Sequence, residues 1–320
     1  MTAKPKVLVT RKWPSAVESV LAERFDTQFN EADKAMSPGE LRAALNLYDA
    51  VLPTVTDKLG ADVLEHPART KILGNFGVGF NHIDLEAAKA AGLVVTNTPG
   101  VLTDATADIA LTLMLNVMRR SFEGERMLRA GEWTGWRPTQ LMGSSPQGKT
   151  LGIIGMGRIG KAMAKRCHFA LDMSVVFYDA FLVADPGVPA EQLPTVEAVL
   201  ERADVVSLHC PGGGDNIHLI NAERLAMMKP TAFLVNSARG DIIDEAALVD
   251  ALRTGQIAGA GLDVFEREPT ITDALKTMTN VALLPHLGSA TTETREAMGM
   301  TVVENVTAFF EDREPPNRVA

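Results

Sequence analysis

The sequence predicts an α/β protein made of two doubly wound parallel-sheet domains. Three observations carry that expectation. Short aliphatic and β-branched runs recur along the chain with helical stretches between them, the pattern of parallel strands joined by crossover helices. A glycine-rich turn, Gly155-Met156-Gly157-Arg158-Ile159-Gly160, follows one such run near mid-chain instead of at the start. The chain has 320 residues, and domains commonly hold roughly 100–200.

Before that turn, strands are expected near Lys6–Val9, Ala50–Leu52, Lys71–Gly74 and Val94–Thr96, with helices at Ser15–Arg24, Pro38–Leu45 and Leu85–Ala90. The first strand's apolar core is too short for a signal-peptide hydrophobic region. After the turn, a helix is expected at Lys161–Cys167. Strands then follow near Val175–Tyr178, Val205–Leu208, Ala232–Asn236, Gly259–Asp263 and Val281–Leu284. Each half therefore reads as an α/β domain. Between them, Asp104–Arg120 predicts a helix with an acidic first turn and a basic last turn, which complements the helix dipole. Ile109, Leu111, Leu113, Met114, Leu115, Val117 and Met118 make it apolar on nearly all sides. Such a helix must be covered from every direction, by domain packing, a subunit interface or both.

Composition narrows the function. The chain is 46% hydrophobic, and 31 basic residues against 40 acidic ones leave a net charge of −9 with no long run of one sign. A nucleic-acid partner would leave a clustered basic footprint, so none is expected. No window approaches the roughly 18 apolar residues of a membrane span. The two cysteines, Cys167 and Cys210, have neither disulfide nor zinc spacing, so they read as ordinary buried thiols of a cytoplasmic protein without a metal site.

The glycine turn carries the first chemical information. Gly-x-Gly-x-x-Gly between a strand and a helix is the signature of a Rossmann-type dinucleotide site. The first glycine makes the turn, the second lets backbone approach a pyrophosphate, and the third lets helix and sheet pack closely. Asp179 ends the next expected strand 19 residues beyond Gly160. A carboxylate there accepts from a ribose 2′-hydroxyl and repels a 2′-phosphate, so NADH is expected over NADPH.

Three polar segments sit where later strands should end: Asn236–Gly240, Asp263–Pro269 and Pro285–Thr291. Ligands of open α/β sheets bind outside the carboxyl ends of strands. Arg239 can hold a carboxylate at two points or polarise a keto oxygen. His286 is the natural proton donor, because imidazole chemistry operates near neutral pH. Glu268 gains a role if it bonds one ring nitrogen of His286 and fixes its tautomer.

On Gly155–Gly160, Asn236–Gly240, Gly261–Phe265 with Glu268-Pro269, and Pro285–Thr291, the chain resembles the NAD-dependent D-2-hydroxyacid dehydrogenases over essentially its whole length. The resemblance implies two Rossmann/flavodoxin-like domains with an interdomain active-site cleft. Residues 1–100 plus 288–320 would bind substrate, and 101–287 would form an inserted NAD-binding domain. It also implies Arg239, Glu268 and His286 as the catalytic set. Val78 and Gly79, in the loop Asn75–Asp84, would receive the substrate carboxylate through backbone N–H groups beside Arg239 and His286. The implied cofactor contacts are Thr106, Gly155, Gly157, Arg158, Ile159, Gly160, Asp179, Cys210, Pro211, Ser237, Ala238, Arg239, Asp263, His286 and Gly288.

Within that family, Gly131–Trp136 and Gly77–Phe80 look most like glyoxylate/hydroxypyruvate reductases. This implies reduction of a small 2-keto acid and a homodimer through the 104–120 region. Trp136 then either reaches a neighbouring subunit's pocket or packs in an interface or core. Two departures stand out. Asp179 occurs where many of these reductases carry an arginine-containing segment, and Cys210–Asn216 is richer in glycine than the usual threonine-containing stretch. A 3-phosphoglycerate or broad-specificity dehydrogenase, and an NAD(H)-sensing corepressor, are the alternative readings. The acidic Glu268 sets the chain apart from formate dehydrogenases, which pair the histidine with glutamine.

Overall fold

The computed structural model describes residues 3–320. The chain divides into two compact units, Met1–Leu102 with Ala290–Ala320, and Thr103–Ser289.

The first unit holds a five-stranded sheet of β1 (Lys6–Val9), β2 (Asp26–Phe29), β3 (Ala50–Leu52), β4 (Ile72–Gly74) and β5 (Val94–Thr96), in the order β2-β1-β3-β4-β5. Every pairing is parallel. Side chains alternate across a strand. Leu8, Val51, Leu73 and Val95 accordingly enter one core with Leu41, Leu45 and Leu64. Val7, Val9, Leu52 and Ile72 enter the other with Val17, Leu21, Val302 and Val306. Both faces are buried, so the inner strands read as unbroken apolar runs. The helix Thr292–Phe310, from the end of the chain, covers the second face.

The second unit contains β6 (Thr150–Ile154), β7 (Ser174–Tyr178), β8 (Ala190–Gln192), β9 (Val205–Leu208), β10 (Phe233–Asn236), β11 (Gly259–Leu262) and β12 (Val281–Leu283). Their order is β12-β11-β10-β9-β6-β7-β8, again parallel throughout. The order reverses between β9 and β6, and such a switch point opens a crevice at the carboxyl ends of the strands. One sheet face packs Ile154, Val206, Leu234 and Leu262 against Val199, Leu225 and Leu248. The other packs Ile153, Phe177, Val205 and Val235 against the helices Thr103–Arg119 and Arg158–Leu171.

The sequence-based strands reappear within a residue at each end. Two strands were not foreseen, Asp26–Phe29 and Ala190–Gln192. Both lie at sheet edges with half-exposed, polar sequences, DTQF and AEQ, so no apolar run announces them. The helix after the glycine turn is longer than expected, Arg158–Leu171. The apolar helix Thr103–Arg119 buries Ala107, Ala110, Leu113, Met114, Val117 and Met118 within its own unit, whereas Ile109, Leu111 and Leu115 stay half-exposed. Its own unit thus covers one side of it.

Candidate active site

The glycine turn sits at the switch point. Gly155 adopts φ +96°, which L-residues rarely reach, and a Cβ on it would lie 2.6 Å from the Cys210 nitrogen and 2.8 Å from the His209 carbonyl carbon. The ends of β6 and β9 can therefore meet only with glycine there. Among the described residues nothing lies within 4 Å of where a Cβ on Gly157 would sit, so that face of the turn is open. Gly157 caps the helix Arg158–Leu171 without a side-chain hydrogen bond, and no acidic residue occupies the first turn. The helix thus presents unclaimed N–H groups and its positive dipole end, the environment a diphosphate needs. Arg158 is exposed in that first turn.

Asp179 follows β7. Its carboxylate accepts the Met156 N–H at 2.8 Å, inside the glycine turn, and the Phe181 N–H at 3.1 Å. The neighbouring Phe181 and Leu182 are among the most exposed apolar residues of the chain. The residues present therefore fit a dinucleotide: an open turn, a free helix N-terminus and an anchored carboxylate one strand away.

The chemical groups converge at the ends of β10, β11 and β12. The Asn236 side chain closes the first loop, donating to the Arg239 carbonyl at 2.8 Å and accepting the Ala238 N–H at 3.0 Å. Gly240 lets this loop touch the next one, since a Cβ would overlap the Phe265 carbonyl group and the Glu266 nitrogen. That contact brings Arg239 beside the loop of Glu268. Burial pulls the Arg239 guanidinium below its ordinary value, while the Glu268 and Asp241 carboxylates work in the opposite sense. It stays charged at any physiological pH.

Glu268 Oε2 lies 2.8 Å from His286 Nδ1, and Glu268 Oε1 accepts the Phe265 N–H at 3.0 Å. Burial would raise the Glu268 carboxyl, but the His286 hydrogen bond and charge, the Phe265 amide and Arg239 outweigh it and hold the group below its usual range. An ionised carboxylate only accepts, so Nδ1 must carry a proton. Nε2 is then left as the nitrogen free to give or take one. His286 itself adopts φ +55°. The buried Asp263 grips that loop, accepting Leu287 N–H at 2.6 Å and Gly288 N–H at 2.8 Å, while its carbonyl takes the His286 N–H at 2.8 Å. Burial pushes the Asp263 carboxyl upward against those bonds. Thr106 donates to the Gly288 carbonyl at 3.0 Å, tying the start of the helix Thr103–Arg119 to the same loop.

Ser237 and Ala238 lie on the Arg239 loop, and the Ser237 hydroxyl is buried without a hydrogen-bond partner among the described residues. Cys210 and Pro211 follow β9 beside the glycine turn. Burial pushes the Cys210 and Cys167 thiols up to about 12, so neither is a nucleophile at neutral pH.

In the first unit, Val78 and Gly79 occupy a loop whose carbonyls are pinned. The Asn75 side chain donates to the Gly77 and Gly79 carbonyls at 3.0 and 3.1 Å, and Asn97 donates to the Val78 carbonyl at 2.8 Å. Among the described residues the Val78 and Gly79 N–H groups find no acceptor. Fixed carbonyls and free N–H groups leave both amides available to an acceptor. Asn75 and Asn97 escaped the sequence reading, since asparagine in a turn is expected for local reasons alone.

Residues 111–288 match the profile of the D-isomer specific 2-hydroxyacid dehydrogenase NAD binding domain. The glyoxylate reductase of Thermococcus litoralis is 42% identical, covering 99% of this chain and 97% of its own. A Thermus thermophilus protein of known structure superposes with a TM-score of 0.90 at 43% identity, covering 98% of this chain and 100% of its own. The NADPH-dependent glyoxylate/hydroxypyruvate reductase of Sinorhizobium meliloti, solved with NADP and malonate, has a TM-score of 0.89 at 37% identity over 99% and 97% of the two chains. The chain belongs to the D-isomer specific 2-hydroxyacid dehydrogenases. It is an oxidoreductase that uses a nicotinamide cofactor.

Proposed function

We propose that this enzyme reduces a small 2-keto acid, glyoxylate and/or hydroxypyruvate, to the 2-hydroxy acid, with NADH preferred over NADPH. The Glu268–His286 pair beside Arg239 carries the reading, because it supplies a proton donor and a carboxylate binder at one strand edge. A bound nicotinamide would supply the hydride that adds to the keto carbon. His286 Nε2 gives its proton to the keto oxygen while Glu268 accepts from Nδ1 and steadies the imidazolium. Arg239 holds the substrate carboxylate and, with His286, stabilises negative charge developing on the oxygen. The Val78 and Gly79 amides, in the other unit, are assigned to a substrate carboxylate.

The glycine turn and Asp179 support the unit Thr103–Ser289 as the cofactor part, and the free Val78 and Gly79 amides support the other unit as the substrate part. Gly155, Gly157, Arg158, Ile159 and Gly160 would hold the diphosphate, and Asp179 the ribose. Cys210 and Pro211 are assigned to the adenine side. Thr106, Ser237, Ala238, Asp263 and Gly288 are assigned to the nicotinamide side. Asp179 also supports the preference for NADH, although the Sinorhizobium relative is NADPH-dependent.

The protein is further read as a cytoplasmic homodimer. Exposed Leu128, Trp133, Trp136 and Met142, with the half-exposed Ile109, Leu111 and Leu115, support a subunit contact along and after the helix Thr103–Arg119. Trp136, 80% exposed in the single chain, is then free to reach a neighbouring subunit. Two free cysteines suit a reducing compartment. No helix among the described residues is long and apolar enough to cross a membrane.

Steady-state kinetics with glyoxylate, hydroxypyruvate, pyruvate and 3-phosphohydroxypyruvate, each with NADH and NADPH, tests the assignment. The highest kcat/KM should fall to glyoxylate or hydroxypyruvate with NADH. A clear preference for the phosphorylated acid or for pyruvate would replace the substrate, and a preference for NADPH would replace the cofactor.

A further inference from the structure

We infer that Glu245 is a positioning residue for the reaction: its buried carboxylate ties both ends of the loop that presents Glu268 to His286. Glu245 opens the helix Glu245–Thr254, yet it is not needed as a cap. Asp244 already accepts the Ala246 and Ala247 N–H groups at 3.0 and 3.1 Å. Instead the Glu245 side chain turns inward, and the residue is only 6% exposed. Oε1 accepts the Glu266 N–H at 2.7 Å, and Oε2 accepts the Thr272 hydroxyl at 2.5 Å.

Those two donors flank Glu268 on either side. Between them the chain folds back on itself through the Thr270 N–H, which donates to the Arg267 carbonyl at 2.8 Å. The loop is thus shut at its neck by Glu245 and across its middle by its own backbone. Glu268 hangs from the closed part, with one oxygen on the Phe265 N–H and the other on His286 Nδ1. Glu245 has no ion-pair partner among the described residues. A buried carboxylate without a cation is expensive unless both oxygens are hydrogen-bonded, as they are here. The carboxylate takes both donors at once, whereas glutamine could keep both contacts only by reversing one, its NH2 donating to the Thr272 hydroxyl, so alanine is the substitution that removes the clasp. Glu245 touches neither His286 nor Arg239 by hydrogen bond. It acts through Glu268.

This inference rests on the reading of Glu268 and His286 as the proton-delivering pair, and a double-mutant cycle separates the two claims. kcat and KM are measured for whichever keto acid turns over best, and the NADH dissociation constant by cofactor fluorescence, in wild type, Glu245→Ala, Glu268→Gln and the double variant. A misplacement near 1 Å can lower a rate about 100-fold, so Glu245→Ala should lose about 10–100-fold in kcat. KM and NADH affinity should change far less. In the Glu268→Gln background the same substitution should cost nothing more, since residues acting as a unit are non-additive.

Wild-type kcat in Glu245→Ala, or a loss that multiplies fully with that of Glu268→Gln, overturns the role of Glu245. So does a fall in NADH affinity as large as the fall in kcat. Full activity in Glu268→Gln overturns the reading of the pair instead. Should Glu245→Ala fail to fold, Thr272→Val removes a single bond at the loop neck. A kcat loss that vanishes in the Glu268→Gln background supports the inference, and no loss overturns it.

Discussion

Replacing Gly240 with alanine separates positioning from binding most sharply. Gly240 follows Arg239, and the place where a Cβ would sit is filled by the Phe265 carbonyl carbon and oxygen and the Glu266 nitrogen. These are backbone atoms, which cannot rotate away as a side-chain tip can. Ordinary carbon–carbon contact is about 3.5–4.0 Å, so the two loops must part by on the order of 1 Å. Overpacking of that kind costs about 1–3 kcal/mol. For 320 residues unfolding together it should lower Tm by about 1–5 °C.

The larger effect falls on catalysis. The moving loop carries the Phe265 N–H that orients Glu268, and Glu268 orients His286. A shift near 1 Å in such a set lowers kcat about 100-fold. The glycine turn and Asp179 lie after other strands, while Ser237, Ala238 and Asp263 lie on or next to the parted loops, so NADH affinity should fall by about tenfold or less, on the order of 1.4 kcal/mol, well short of the fall in kcat. The assay pairs steady-state kinetics with NADH fluorescence titration and thermal unfolding. Wild-type kcat in Gly240→Ala would refute the reasoning, because the loop contact would then have no bearing on the acid pair. An equal loss of NADH affinity would refute it too, by showing a general collapse of the cofactor unit.

Two further outcomes are expected. Asp179→Asn keeps an acceptor for one backbone N–H but removes the charge, so the ratio of kcat/KM with NADPH to that with NADH should rise about tenfold, on the order of 1.4 kcal/mol; an unchanged ratio would put the determinant elsewhere. Burial holds the His209 imidazole down to about 4, against an ordinary value near 6.5. The unfolded chain therefore binds the proton more readily, and the stability contribution is complete above the ordinary value and lost as pH falls toward 4. With His209 half-buried as a residue, the loss between pH 7 and pH 5 should be about 1–2 kcal/mol. His209→Gln should abolish that part of the pH dependence in urea-unfolding midpoints, and an unchanged pH slope would contradict the assignment.

The inner strands could be read directly from the chain because a parallel sheet covered on both faces leaves nothing but apolar side chains along them. The edge strands Asp26–Phe29 and Ala190–Gln192 could not, since one open side and partial exposure leave a polar, patternless stretch. The helix Thr103–Arg119 was legible as a helix, but its apolar periphery did not say which residues its own unit would cover. Arg239, Glu268 and His286 could be picked out as candidates, because arginine, carboxylate and histidine each followed an expected strand. Asn75, Asn97 and Glu245 were not, for their partners are distant in sequence and leave no local pattern.

By itself the sequence determined the strand–helix alternation, the dinucleotide turn and the kinds of group at the strand ends. These are local properties, set by side-chain period, backbone freedom at glycine and intrinsic acidity. Tertiary structure alone decided that β9 returns beside β6, so that the glycine turn lies at a switch point. It also decided that Glu268 spends one oxygen on its own loop and one on His286, and that Glu245 closes that loop from another helix. Hydrogen bonds between segments far apart in the chain depend on sheet order and loop contact, and one-dimensional spacing does not carry that information.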